Sequence, residues 1–485
     1  MRRLLALLGN AASALHRVPF RQWNWLLLIL AAIAGTIPFA NPARAAQTGL
    51  IAVPGPNSRP SATCDHTCYY VNASNGSDGA DGRTPATAWR TLRKAAQTVG
   101  PGSTVFAASG VYAPLRIAMS GTPDAWVKFV AAPGAHPVIR LDDSRVGIAT
   151  GTGAYILIDG FEVIGQNQTI TPAQGQMNNG SQPALNENCI LVGRIPSASS
   201  SQTLAHDVVI RNNIVHDCSA SGITTAFADA VTVVHNIVYN NSWWGVNDGS
   251  GLSIWMLTDV VPSNGPYKNY IVGNFVYNNY CNLPFRYFRP VPAITDGNGI
   301  IIDTNSHLTR MPNMPSYPAY QGRTYIANNI VFANGGKGIT ANASSHIDVA
   351  NNTVYDDERS NSRYVNIGEI AANSSSLDVH FYNNIAVNLN GKKLDNATGG
   401  TYDYDILSGS TIPYVGPHDI VGDPLLANPI ARGSLSNPSP TDFAPKASSP
   451  ALRNGTNNRA PAVDYFNNPR TAGTVDRGAI QVSRS

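Results

Sequence analysis

The sequence predicts an all-β solenoid in which each turn consists of three short strands. Every strand pairs in parallel with its counterpart one turn above, roughly 4.8 Å away. Three observations carry this. From Thr104 onward the chain consists of short β-rich runs separated by Gly, Asn and Asp turns, with no second helix to match an early one. The phrase Asn-Ile-Val or a close relative begins at Asn213, Asn236, Asn274, Asn329, Asn352 and Asn384, at spacings of 23, 38, 55, 23 and 32 residues. That is a unit of about 23 residues interrupted by insertions. Finally, Asp248-Gly249-Ser250-Gly251-Leu252 returns as Asp296-Gly297-Asn298-Gly299-Ile300, and in reduced form as Gly335-Gly336-Lys337-Gly338-Ile339.

Taken in order, residues 1–45 hold five arginines and no acid, an apolar run from Trp25 to Ile37, and Ala43-Arg44-Ala45. This is the pattern of a secretory signal peptide, and the run is short for a membrane span. Of 33 Lys and Arg residues these five lie in the leader, so the body carries 28 against 30 acids, a net charge of −2. No basic surface for nucleic acid is expected. The body reads as a secreted monomer, extracellular or periplasmic, with no integral membrane association once the leader is removed.

Residues 46–68, rich in Pro, Gly and Ser, read as a linker. Residues 69–103 read as an entry strand at Tyr69 to Val71 and a helix from about Ala86 to Val99, with Trp89, Leu92 and Ala95 or Ala96 on one face. The coil is expected over 104–395 and a closing segment over 396–485. Helix and closing segment would shield the end rungs from edge pairing. Cys64 and Cys68 are close enough in sequence to bridge, while Cys189, Cys218 and Cys281 read as buried thiols. The repeated asparagines suit tight turns, because Asn tolerates the left-handed conformation, and their amides can stack.

Tyr69-Tyr70-Val71-Asn72, Gly76-Ser77-Asp78-Gly79, Trp89-Arg90-Thr91-Leu92, Pro101-Gly102-Ser103-Thr104-Val105, Thr441-Asp442-Phe443, Ser448-Ser449-Pro450-Ala451 and Asp476-Arg477-Gly478-Ala479 carry a resemblance. With the repeats between them they make the chain similar to the right-handed parallel β-helix proteins of the pectate-lyase-like superfamily, over about residues 68 to 480. Such motifs specify fold well and substrate poorly.

Aligning turns on Gly222, Gly251, Gly299 and Gly338 points the next residue inward (Ile223, Leu252, Ile300, Ile339). Two outward columns follow: Thr224, Ser253, Ile301, Thr340 and Ala226, Trp255, Asp303, Asn342. Ahead of the glycines, one column reads Ser219, Asp248, Asp296, Gly335 and another Ser221, Ser250, Asn298, Lys337. Two aspartates one above the other repel unless they share a cation or a proton. Calcium is the natural cation for carboxylate oxygens.

This grouping resembles the calcium-dependent polysaccharide lyases of family 9. The resemblance implies Asp248 and Asp296 as metal ligands and Lys337 as the base, with Asp303 in the catalytic group. It also implies an acidic polysaccharide as partner. The insertions Thr258 to Lys268, Tyr280 to Thr295 and Asn305 to Gly322 would wall a groove. Within it Trp255, Tyr287, Arg286 and Arg289 would bind the glycan, alongside Tyr267, Tyr280, Phe285, Tyr317, Tyr320 and Arg310. Lys268, Arg286 and Arg289 are alternative bases. His206, His235 and His346 precede the asparagine turns, away from the aspartates. A lyase acting by β-elimination is the leading reading. A C5-epimerase, an inverting glycoside hydrolase and a non-catalytic carbohydrate-binding protein are the alternatives.

Overall fold

Apolar residues, mostly isoleucine and valine, alternate along short runs, and Gly, Asn or Asp recurs at two of the three corners of each unit. Such a chain can bury one face of every strand only by coiling on itself. A computed structural model of the chain takes this form. It describes residues 49–482 apart from 56, 59, 196–202, 248, 286–292, 308–315, 361–367, 374, 397–398 and 431–434. The expected leader therefore lies outside the described residues.

Among these residues three parallel sheets of 11, 11 and 9 strands stack into a right-handed parallel β-helix. In chain order within a turn, sheet 1 includes Ala205–Arg211, sheet 2 Ile214–His216 and sheet 3 Ile223–Ala226. Along sheet 3, Ile223–Ala226 pairs with Leu252–Trp255, then Ile300–Asp303, then Ile339–Asn342. This is the register expected from the glycine alignment. Ile223, Leu252, Ile300 and Ile339 are all fully buried in one continuous core.

Two files of buried amides run along the coil. At the corner between sheets 1 and 2, the Nδ2 of Asn213 donates to the Oδ1 of Asn236 (3.0 Å), and so on through Asn274, Asn329, Asn352 and Asn384 to Asp405. At the corner between sheets 2 and 3 a second file links Asn241, Asn279, Asn334 and Asp357 at 3.0, 2.9 and 2.8 Å. The left-handed residue at each corner is the one before the ladder residue, for example Asn212, His235 and Gly273, or Asn240, Asn278 and Ala333. The ladder asparagines are thus chosen for their amides, and the preceding residues carry the strain.

The second ladder explains the glycines. A Cβ on Gly222, Gly251 or Gly299 would fall 2.9, 2.6 or 2.9 Å from the Nδ2 of Asn241, Asn279 or Asn334. One rung earlier the same two positions hold Cys218 and Cys189, joined as a disulfide. The expectation of buried thiols there is corrected: the pair occupies the place of an amide against a glycine. Cys64 and Cys68 also form a disulfide. Cys281 is buried, its Sγ 3.3 Å from the Gly249 carbonyl oxygen.

The ends differ from expectation in three ways. The helix is shorter, Leu92–Thr98 capped by Thr91, because Trp89 is drawn into a bridge with Val71 and stacks on Tyr69 at 4.8 Å. The stretch read as a linker lies along sheet 1: Ile51 bridges Pro461 and packs with Val272 and Tyr325. Further on, Arg211 and Lys128 donate to the Ser58 and Thr63 carbonyls. The closing segment folds back over sheet 2, where Phe443 and Ile480 cluster with Phe275 and Phe332. Among the described residues no helix is long and apolar enough to cross a membrane.

Candidate functional site

The site is built on the glycine turns that open sheet 3. Asp303 ends its strand and faces outward, in register with Trp255 on one side and Asn342 on the other. Its Oδ1 accepts from Asn342 Nδ2 at 2.7 Å and Thr304 Oγ1 at 2.8 Å. Burial first, and then the negative charge of Asp296, push its carboxyl up to about 6. The two hydrogen bonds and the charge of Lys337 only partly offset that rise. Asp303, Asp296 and Lys337 therefore lie in one electrostatic neighbourhood.

Lys337 is held against the turn of the preceding rung. It is 7% exposed, its Nζ donates to the Thr295 carbonyl at 2.8 Å, and its backbone N–H donates to Asn298 Oδ1 at 2.9 Å. Asp296 accepts from Asn298 Nδ2 at 2.6 Å and from Thr295 Oγ1 at 3.0 Å. The column before the glycines is a hydrogen-bonded row. Ser221 N–H donates to Asn188 Oδ1, Ser250 N–H to Ser221 Oγ, and Asn298 Nδ2 to Ser250 Oγ at 3.1 Å.

At its early end the row opens into a pocket of about 200 Å³, lined by Arg145, Asn186, Asn188, Ser221 and Asn247. Arg145 is anchored by its Nη2 on the Gly180 and Ser181 carbonyls, at 2.8 and 2.7 Å. Sequence reading missed Arg145 and Asn188. Carrying the register back two more rungs, to Val146 and Asn188, would have found them.

Tyr280 covers Gly335, whose Cβ would fall 2.8 Å from the ring; this is why the aspartate column ends in glycine there. Trp255 joins Phe227, Met256 and Tyr317 in a small apolar cluster beside Asp303. The Trp243-Trp244 pair packs the outer loop, with Gly175 against the Trp244 ring.

Other expectations are corrected. Lys268 is not placed to act as a base, since its Nζ is 2.7 Å from the buried Asp229. Tyr320 and Tyr267 donate to Asp229 and Asp348, each at 2.7 Å, and so pin loops rather than face a groove. His206, His235 and His346 lie along sheet 1 or its corners, away from the aspartates as expected. Asp248, Arg286, Tyr287, Arg289 and Arg310 lie outside the described residues.

Among the described residues no group of three or more His, Cys, Asp or Glu side chains is arranged to hold a metal ion. Both oxygens of Asp296 already accept hydrogen bonds.

Fold and site together describe a parallel β-helix with a hydrogen-bonded row of polar side chains along its third sheet. No family model matches the chain, and no curated protein matches it. Among solved structures it is similar to pectate lyase Pel9A, at 17% identity and a TM-score of 0.48, covering 86% of this chain and 97% of that one. It is also similar to a rhamnogalacturonan lyase, at 14% identity and a TM-score of 0.43, over 79% and 96% of the two chains. The A-module of the Azotobacter vinelandii mannuronan C-5 epimerase AlgE4 follows at 14% identity and a TM-score of 0.35, over 73% and 100%.

Proposed function

We propose that the protein is a polysaccharide lyase that cleaves an acidic, uronate-containing polysaccharide by β-elimination in the groove of sheet 3. The observation that carries this reading is the placement of Asp303, Asp296 and Lys337 in one electrostatic neighbourhood, with Asp303 raised to about 6. The family 9 resemblance of the glycine turns supports it. Lys337 Nζ, as general base, takes the C5 proton of the uronate. The electrons of that bond form the C4–C5 double bond, the C4–O4 bond breaks, and protonated Asp303 delivers its proton to O4. Arg145, four rungs before the Asp296 turn, is placed for a carboxylate further along the same glycan.

A second reading has a specific observation behind it. Two interacting carboxylates, one of them raised, are also the equipment of an inverting glycoside hydrolase. The product separates the two, because elimination leaves an unsaturated sugar that absorbs in the ultraviolet and hydrolysis does not.

The test is a screen of uronate polymers, with and without calcium and chelator, followed in the ultraviolet. Lys337→Ala is expected to lower the elimination rate at least about 100-fold while the thermal midpoint moves little. Full activity in that variant would remove Lys337 as the base. As general acid Asp303 works protonated, so the rate should fall as pH rises through about 6. Asp303→Asn should abolish that limb along with most of the activity.

A further inference from the structure

Both amide ladders end the same way. In each, the Nδ2 of one asparagine donates to the side-chain oxygen of the next rung, whose own Nδ2 continues the file. At the end of the second ladder the residue is Asp357: its Oδ1 accepts from Asn334 Nδ2, and its N–H donates to Glu369 Oε2 at 3.0 Å. Its Oδ2 occupies the amide nitrogen's place. A Cβ on Gly338 would fall 2.6 Å from that oxygen, as Cβ atoms on the three earlier glycines would meet Nδ2. The first ladder ends in Asp405, whose N–H donates to Asp419 Oδ1 at 2.7 Å. The Oδ2 atoms of Asp357 and Asp405 are both buried with no hydrogen-bond partner.

An oxygen standing where a donor belongs, with a carboxylate as the next rung, is stable only if a hydrogen lies on it. We infer that Asp357 is a neutral carboxylic acid that shares one proton with Glu369, and that this proton holds the turn carrying Lys337. Asp357 is therefore a positioning residue. The Oδ2 lies against Gly338, the neighbour of Lys337. Glu358 and Ser360 donate their N–H groups to the carbonyls of Gly336 and Gly335, and Ile339 donates to Glu369. Loss of the proton puts two negative charges against that turn.

The charged groups around the pair are known. Burial raises the Asp357 carboxyl, Asp356 adds to the rise, and Arg359 opposes it together with the hydrogen bonds from Asn334. Glu369 is raised by burial, then by Asp357 and Glu358, while Asn388 donates to its Oε1. Lys337 is turned toward Thr295, and Lys392 donates to the Glu358 and Ser360 carbonyls.

The sign follows from linkage. A group raised on folding contributes stability that is complete below the ordinary carboxyl range and is lost as pH rises through its folded value. The test is a series of denaturant midpoints from about pH 5 to about pH 9. The unaltered protein should lose stability across this range. Asp357→Asn, which supplies the amide the file otherwise uses, should flatten that loss.

In the unaltered protein, exchange of the Gly299 and Glu358 amides, which bond the Lys337 and Gly336 carbonyls, should quicken with pH beyond the intrinsic rate. A carboxyl carbon resonance of Asp357 ionised at about pH 6, or a pH dependence unchanged in Asp357→Asn, overturns the inference. These readouts need no activity. The kinetic readout rests on the lyase reading: the alkaline limb should shift in Asp357→Asn and stay in Asp405→Asn. Matching limbs in the two variants would overturn the positioning role while leaving Lys337 as base to its own test.

Discussion

The two amide ladders are made of the same side chain, yet they serve different parts of the molecule. The first begins beneath Phe161, whose N–H donates to Asn213 Oδ1, and ends at Asp405. There Arg477 of the closing segment donates to the Asp405 carbonyl at 2.8 Å. It lies at the corner between sheets 1 and 2, away from the polar row of sheet 3. The second begins with a disulfide, runs under the glycine column, and ends at an acid pair beside the turn of Lys337. A ladder of buried amides makes a corner rigid, because every polar group is satisfied only in one register. Rigidity in the first ladder serves the coil. In the second it also places the outward side chains of sheet 3, since the glycines it packs against open the strands that bear them.

This contrast can be broken most severely at Gly299. A Cβ there would sit 2.2 Å from Val331 Cγ1, 2.8 Å from the Gly338 carbonyl and 2.9 Å from Asn334 Nδ2. Gly299→Ala is expected to cost at least about 3 kcal/mol, seen in urea unfolding as a large fall in midpoint. A fall below about 1 kcal/mol would mean that the ladder yields, and that the glycines are there for another reason.

A smaller effect, about 1–3 kcal/mol, is expected from Asn274→Ala in the first ladder and from Asn279→Ala in the second. Each leaves a buried Nδ2 of the preceding rung without its acceptor, Asn236 in one and Asn241 in the other. The comparison predicts similar losses of stability but a loss of polymer cleavage, assayed well below the unfolding midpoint, in the second variant alone.

The smallest change is expected from Asp405→Asn. Burial, and then the charge of Asp419, hold the Asp405 carboxyl well above the ordinary range. Its contribution to stability is therefore lost as pH rises above that range. The variant should flatten part of this decline without touching the pH profile of activity, because the first ladder does not meet the groove.

Much of this was legible in the residues. The spacing of the Asn-Ile-Val phrases located the first ladder, and the doubled Asp-Gly-x-Gly phrase located the strands of sheet 3 in correct register. The second ladder was equally available. An Asn or Asp stands five residues after the ladder residue in four successive units, at Asn241, Asn279, Asn334 and Asp357. The apolar runs mask it, because the second ladder residue falls beyond the end of each run. Local pattern failed where a contact joins distant turns. The pairing of Cys189 with Cys218 needs the rung alignment. The placement of Ile51 and Ser58 along sheet 1 depends on Tyr325 and Arg211, far along the chain.

By itself, then, the sequence determined the coil, its period and the columns of outward side chains, because strand periodicity and corner chemistry are local properties. Only the tertiary structure decided which members of those columns interact. Asp303 is raised to about 6 by burial and by Asp296, and Lys337 crosses to Thr295 while Lys268 is spent on Asp229. Charge state and partner choice depend on what closes around a group in three dimensions, and a one-dimensional pattern does not contain that information.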